Sequence, residues 1–310
     1  KRYYNEAGTF HTLSNHPSIL RFLLVHSFTI MILLVSVAVW LAVVSVVAYF
    51  VFLKKDKKEI ELRKQDWKSD TVYLYQFPRS KTIPNLSPYC LKVETFLKVN
   101  KISYEICPLI MGRSRYGLLP FIELNGEHIA DSSVIIDRLK DHFKVKPLAS
   151  FRDEGIARAI ERTVENHTAH VVYRFKVVED PNNGFCEAVL RDVGCPAVLL
   201  PILLPLAAWF MRLKVSRRIG AAIGHFPVED FKKFLQKDFD TYRDLLGDKK
   251  FLFGDEVSSA DCAVFSHLAT ILYIPLNNYA KELLREKYPE LTNYCDRVRD
   301  TVFGKEFAEE

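Results

Sequence analysis

Glycine and proline are sparse, 12 and 14 in 310 residues, and this excludes a collagenous or low-complexity chain. No Cys-x-x-Cys pair occurs. The six cysteines (Cys90, Cys107, Cys186, Cys195, Cys262 and Cys295) are scattered, and none shows metal-ligand spacing. An excess of either charge is also missing: 43 Lys and Arg against 38 Asp and Glu leave only +5. Most of that excess lies at two sites. Residues 1–21 hold Lys1, Arg2 and Arg21 against Glu6, and residues 54–70 hold seven basic against five acidic residues. Residues 71–310 are left at +1, which argues against a nucleic-acid partner.

Between these two sites, residues 22–53 contain no Asp, Glu, Lys or Arg and are almost wholly apolar. About 20 helical residues cross a hydrocarbon core of about 30 Å, so this stretch predicts a transmembrane helix with length to spare. A cleaved signal peptide would have a shorter apolar region ending in small residues, whereas this one runs into Lys54-Lys55-Asp56-Lys57-Lys58. That cluster outweighs Arg21, so the positive-inside rule puts the C-terminal part in the cytosol, with a short non-cytosolic tail over 1–21. Membrane lipid is therefore an expected partner through residues 22–53; which membrane is left open. In a cytosolic domain the cysteines are reduced and mostly buried. A lumenal domain would allow three disulfides instead. Glycan on Asn85-Leu86-Ser87 or Asn166-His167-Thr168 would mark that reversed topology.

After a charged linker (54–70), Val72-Tyr73-Leu74-Tyr75-Gln76-Phe77 predicts a strand ended by Pro78. Ser87-Pro88 opens a helix with Leu91, Val93, Phe96 and Leu97 on its buried face. Strands are expected at 102–106 and 120–124, and Asn125-Gly126 turns the latter into an antiparallel return over 127–129. Asp131-Ser132 then precedes a second helix. A helix crosses between the first two strands, so they should be parallel. The result is a compact α/β unit.

Beyond His142 the periodicity is helical, clearest at 156–161, 231–246 and 261–274. Ser258-x-x-Asp261 is a capping box that serves folding. His167-x-x-His170 lacks a third metal ligand and suits a solvated face. The apolar stretch 197–211, interrupted by Pro201 and Pro205, is too short for a second span. It reads as a core or interdomain segment, with membrane-surface contact as the alternative.

The Ser87-Pro88-Tyr89-Cys90 helix start, Gly117-Leu118-Leu119-Pro120-Phe121-Ile122, Asp131-Ser132 and Ser258-x-x-Asp261 together resemble the glutathione transferase fold over residues 71–310. Tyr75-Gln76-Phe77-Pro78-Arg79, with the run from Pro84 to Thr95, more closely resembles the failed-axon-connections family. Its nematode cadmium-responsive relatives are also similar to metaxins, and some carry a span ahead of the transferase-like part. The resemblance implies a single transmembrane helix followed by a thioredoxin-like α/β domain (71–145) and an all-helical domain (146–310).

It also implies glutathione as co-substrate. The peptide before a cis Pro120 would pair, through Leu119, with the cysteinyl part, and Asp131 and Ser132 would hold the γ-glutamyl group; an ordinary N-cap is the other reading of that pair. A thiolate at the start of the first helix gains from the helix dipole. Ser87 stands where related proteins carry a nucleophilic Cys, which disfavours dithiol chemistry and leaves Ser87 as the catalytic candidate, donating to the glutathione thiolate. Cys90 is the second candidate, with a buried thiol favoured. Arg79 and Lys81 would add positive charge near the site or be solvated loop charges. The connection from Gln76 to Ser87 is longer than in typical transferases, so the loop is expected to reshape or cover the site. Two functions remain: a membrane-anchored transferase in detoxification or stress, cadmium included, or a catalytically inactive metaxin-like adaptor or import component, with a homodimer or a protein partner.

Overall fold

A computed structural model describes residues 17–48, 62–110 and 112–308. The chain forms two separate compact units, Lys1–Glu59 and Ile60–Glu310. In the first, helix α1 runs over Pro17–Ala48, 32 residues or about 48 Å of helix. It begins ahead of the expected span. Its described side chains are exposed, among them Phe28, Leu34 and Trp40. The tail up to residue 16, the far end of the expected span and the 54–58 lysine cluster lie outside the described residues.

The second unit begins by docking its linker. The backbone amides of Arg63 and Lys64 donate to the buried Glu123 carboxylate at 2.8 and 2.9 Å. Strand β1 (Val72–Gln76) is buried at every position and lies inside a four-stranded sheet. β2 (Tyr104–Pro108) pairs parallel to it, two residues later in sequence than expected, after crossing through α2 (Pro88–Val99). β3 (Phe121–Leu124) and β4 (Glu127–Ala130) complete the order β2-β1-β3-β4 with antiparallel pairings. The β3–β4 turn requires positive φ at Asn125 (50°) and Gly126 (82°), which Asn and Gly tolerate best. Helix α3 (Ser132–Phe143) returns onto the sheet, with Ile135, Ile136 and Leu139 buried.

Helix α2 has no solvent face through most of its length, because it is packed between the sheet and α9 (Ser259–Leu272). Val93, Phe96 and Leu97 enter the core beneath the sheet, Cys90 joins the cluster around Tyr73 and Tyr75, and Leu91 belongs to the large helical core. That core is built on α9, whose residues after Ser259 are all buried. Around it lie α4 (Phe151–Thr163), α5 (Ala169–Tyr173), α6 (Gly184–Asp192), α7 (Leu200–Ile223), α8 (Val228–Leu246), α10 (Tyr279–Lys287) and α11 (Pro289–Val302). The backbone widens into π-helical turns at Val164–Thr168 and Arg174–Val178, on either side of α5. The Ser258–Asp261 capping box closes in both directions at the start of α9.

The apolar stretch 197–211 differs from the core or interdomain segment read from sequence. Its two prolines do not break it. Pro201 sits in the first turn, where its missing amide costs nothing, and Pro205 is carried inside the helix. With the preceding 3₁₀ turn, Ala197–Ile223 forms 27 residues, long and apolar enough to cross a membrane by length and composition. Only Leu200, Ala208 and Ile219 of α7 are buried.

Candidate functional site

Ser87 holds the N-cap position of α2 with extended backbone (φ −87°, ψ 119°), but its side chain makes no capping bond. Its amide is held instead by Asn85, whose Oδ1 accepts from Ser87 N at 3.0 Å while its Nδ2 donates to the Phe77 carbonyl at 2.8 Å. Asn85 is fully buried. This side chain spans the long β1–α2 connection and fixes the start of the helix. Ile83 and Leu86, on the same connection, are buried in the helical core. The connection is therefore a packed strap that helps join the sheet to the helices.

The Ser87 hydroxyl bears on the Cys90 thiol in the sense that favours a thiolate. Burial outweighs this, pushing the fully buried Cys90 up to about 12 and leaving it a packed thiol. Leu119–Pro120 is a cis peptide at the entry to β3. The Leu119 backbone makes no hydrogen bond within the chain among the described residues, so both its amide and its carbonyl are available to an extended peptide. Asp131, with φ 79°, caps α3: its Oδ1 accepts from Ser133 N at 3.0 Å and Val134 N at 3.3 Å. Ser132 beside it is buried. The N-cap role is thus present, and it occupies one carboxylate oxygen while leaving the other for a ligand's ammonium group.

Ser87 also lines a cavity of about 330 Å³ between the strap and the helices. Leu119, Pro120, Asp131 and Ser132 do not line it. Its opposite wall comes from His170 and Tyr173 of α5, Phe185 of α6, and Met211 and Arg218 of α7. Burial and the nearby Arg218 hold His170 below its ordinary pKa, and burial raises Tyr173, so both rings are neutral at physiological pH. The cavity thus suits an apolar group, with Arg218, Lys214 and Asp192 as the charged residues of its lining.

The histidine pair differs from the solvated face expected from sequence. His170 is buried in the cavity wall, and His167 Nδ1 contacts Asp238 Oδ2 at 2.9 Å. No group of three or more potential ligands is assembled among the described residues. Arg79 is committed as well: it pairs with the buried Glu94 at 2.9 Å and donates to the Glu306 carbonyl, so it cannot serve a ligand at Ser87. A polar cluster that the sequence reading missed lies under the site. Lys92 of α2 pairs with Glu165 of the first π-turn. Ser133 Oγ donates to Glu165 Oε2 at 3.0 Å, Arg162 pairs with the same oxygen at 3.0 Å, and Tyr89 OH donates to the Glu165 carbonyl at 3.1 Å. Helical spacing alone, as in Met211, Val215 and Arg218, would have grouped the α7 wall but could not have said what it faced.

Comparison with known proteins agrees with this architecture. The family models "Glutathione S-transferase N-terminal domain" and "Glutathione S-transferase, C-terminal domain" match residues 88–183 and 235–298. A four-stranded thioredoxin-like sheet joined to a helical domain, with a helix N-terminus at the cavity, is that of a glutathione transferase-like protein, and the chain belongs to this family. Within it, the chain is a homologue of Failed axon connections of Drosophila melanogaster, 32% identical over 263 residues. That match takes in 79% of this chain and 61% of the fly protein, so the chain spans about three fifths of that relative's length. It is also 26% identical over 245 residues to the isoprene-epoxide–glutathione S-transferase of a Rhodococcus strain, covering 74% of this chain and 98% of that enzyme. A glutathione transferase structure from Phanerochaete chrysosporium shares the fold, with a TM-score of 0.50 and 15% identity over 74% of this chain and 97% of that one.

Proposed function

We propose that the chain is a membrane-anchored glutathione transferase, tethered through residues 22–53 with its folded body in the cytosol, where it conjugates apolar electrophiles in detoxification or stress. The observation that carries this reading is the Ser87 hydroxyl at the start of α2, uncommitted to capping its own helix and placed on the wall of a largely apolar cavity. Glutathione would lie along the entry to β3. Leu119 pairs with its cysteinyl amide and carbonyl, the spare oxygen of Asp131 takes the γ-glutamyl ammonium, and the amide of Ser132 at the start of α3 takes the carboxylate. The thiol loses its proton to solvent, and Ser87 donates a hydrogen bond to the sulfur anion beside the positive end of α2. That sulfur forms a bond to the electrophilic carbon held in the cavity, and the bond from that carbon to its leaving atom breaks, its electron pair departing with that atom.

Calorimetry of glutathione against the full chain in detergent tests this, alongside conjugation of a model electrophile by wild type and Ser87→Ala. Heat of binding and turnover that falls in the variant support the reading. No heat at millimolar glutathione removes it.

A second reading has its own support. Ile83 and Leu86 of the strap are packed in the helical core, so this part of the connection is built as structure. Such a body could serve as a membrane-tethered adaptor similar to metaxins, with glutathione binding and turnover both absent.

A further inference from the structure

The outer side of α7 and of the 3₁₀ turn before it presents an apolar row. Val198, Ile202, Leu206, Trp209 and Phe210 recur at steps of four, four, three and one residues and are 78%, 73%, 66%, 62% and 61% exposed. This is a patch of large apolar side chains on an otherwise folded unit, the kind of surface that marks an interaction site. The opposite side of the same helix is used internally, through the buried Leu200, Ala208 and Ile219.

Charge identifies the partner. From residue 193 to residue 228 the sequence has no Asp or Glu, while Arg212, Lys214, Arg217 and Arg218 follow directly after the aromatic pair. Arg212 is turned inward to the carbonyls of Val177 and Asp180. Arg217 is exposed and away from the Ser87 cavity, while Lys214 and Arg218 are exposed at the cavity's edge, which they also line. The order is therefore aliphatic side chains, then Trp and Phe, then cations, which matches the sequence of environments from acyl chains through the interface to anionic headgroups. The exposed row from Val198 to Phe210 rises only about 18 Å, less than a hydrocarbon core of about 30 Å, so it suits insertion into one leaflet rather than a crossing. A second copy of the chain would bring the same acid-free helix to this face and leave the cations without a counter-charge.

We infer that the outer face of α7 docks in the surface of an anionic lipid leaflet, giving the folded body a second membrane contact besides α1. The inference rests on the anchored reading of residues 22–53, and the test separates the two. The chain has three tryptophans, Trp40, Trp67 and Trp209. Two full-length variants each keep one: Trp67→Phe with Trp209→Phe keeps Trp40 on α1, and Trp40→Phe with Trp67→Phe keeps Trp209 on α7. Each is reconstituted into phosphatidylcholine vesicles containing phosphatidylserine and brominated acyl chains.

In the variant that keeps Trp209, the expected result is quenching by bromines near the headgroups and protection from aqueous acrylamide. Adding Arg217→Glu, or omitting phosphatidylserine, should lower the docked fraction about fivefold. Adding Ile202→Asp with Leu206→Asp should abolish the quenching while leaving the circular dichroism melt unchanged, because both side chains are exposed. Trp209 open to acrylamide and untouched by bromolipid overturns the inference. So does Trp209 shielded from both quenchers in a cross-linkable dimer, which assigns the face to a second copy. Quenching of Trp40 with Trp209 unquenched leaves the anchor standing and sinks the docking; the converse keeps the docking and sinks the anchor.

Discussion

Lys92 of α2 and Glu165 of the first π-turn form an ion pair between two side chains that are only 3% and 5% exposed, joining the sheet side of the molecule to its helical side. Ser133 and Arg162 fill the remaining valences of the carboxylate. Removing one partner leaves the other charge buried, which costs about 3–5 kcal/mol, whereas replacing both by apolar groups of similar size is often close to neutral. Lys92→Ala and Glu165→Ala should therefore each destabilise strongly in urea unfolding. Lys92→Met with Glu165→Leu should cost less than either single change.

The same pair sets an acid response. Burial alone would raise Glu165, but Lys92 and Arg162 outweigh it and hold the carboxyl below its ordinary value. A carboxyl whose folded pKa is depressed contributes stability that is fully present above its unfolded value of about 4.3 and is lost as pH falls through the folded value. Melting temperature should fall more steeply with acid in wild type than in Glu165→Gln below about pH 5. Parallel curves would show that the pair has no such role.

Ser87 separates structure from chemistry. An N-cap serine that bonds its helix usually costs about 1 kcal/mol when changed to Ala, but the Ser87 side chain makes no such bond. Ser87→Ala should shift stability by no more than about 0.5 kcal/mol. Conjugation should nevertheless fall about 100-fold in kcat/KM, with the pH–rate profile of the thiol displaced upward. A loss of activity in step with a loss of folded protein would contradict this.

Much of the sheet could be read from local signals. Asn125-Gly126 fixes a hairpin, Ser87-Pro88 starts a helix and Ser258-x-x-Asp261 closes a cap, because each acts within four residues. The candidate site was less accessible. Lys92 and Glu165 are 73 positions apart, and Arg79 reaches Glu306 across 227, so the sequence showed these charges without their partners. His167 and His170 looked alike at helical spacing, but α5 and its π-turns point one at Asp238 and bury the other in the cavity wall. The 197–211 stretch, short and interrupted by Pro201 and Pro205, reads as a core or interdomain segment with membrane-surface contact as the alternative; composition does not show which side of a helix has no neighbour.

The six thiols should fall into two groups. Cys90, Cys186, Cys262 and Cys295 are buried, whereas Cys107 and Cys195 are partly exposed. Burial pushes Cys90, Cys262 and Cys295 well above the ordinary thiol value, which lowers thiolate content as well as access. Under native conditions an aromatic disulfide reagent should label Cys195 and Cys107 first, and the other four should react only at the rate of unfolding. Rapid native labelling of Cys90 would overturn its assignment as a packed thiol.

Asp261 accepts four hydrogen bonds at the centre of the helical core: from Leu252 N at 2.9 Å, Ser258 N at 2.8 Å, Ser258 Oγ at 2.6 Å and Tyr294 OH at 2.9 Å. Its truncation strands several buried donors at once, and α9, on which the helical core is built, loses the reciprocal half of its capping box. Charged hydrogen bonds contribute about 1.5–3 kcal/mol each, and an unsatisfied buried donor costs about 1–3 kcal/mol. Asp261→Ala should therefore destabilise by more than about 4 kcal/mol, enough to unfold much of the protein at 37 °C. Asp261→Asn keeps the shape and one acceptor and should fall between the two in chemical denaturation. Tyr294→Phe removes a single donor and should cost about 1–2 kcal/mol. If Asp261→Ala proved no worse than Tyr294→Phe, the carboxylate would be only a local cap and not the centre of the helical core.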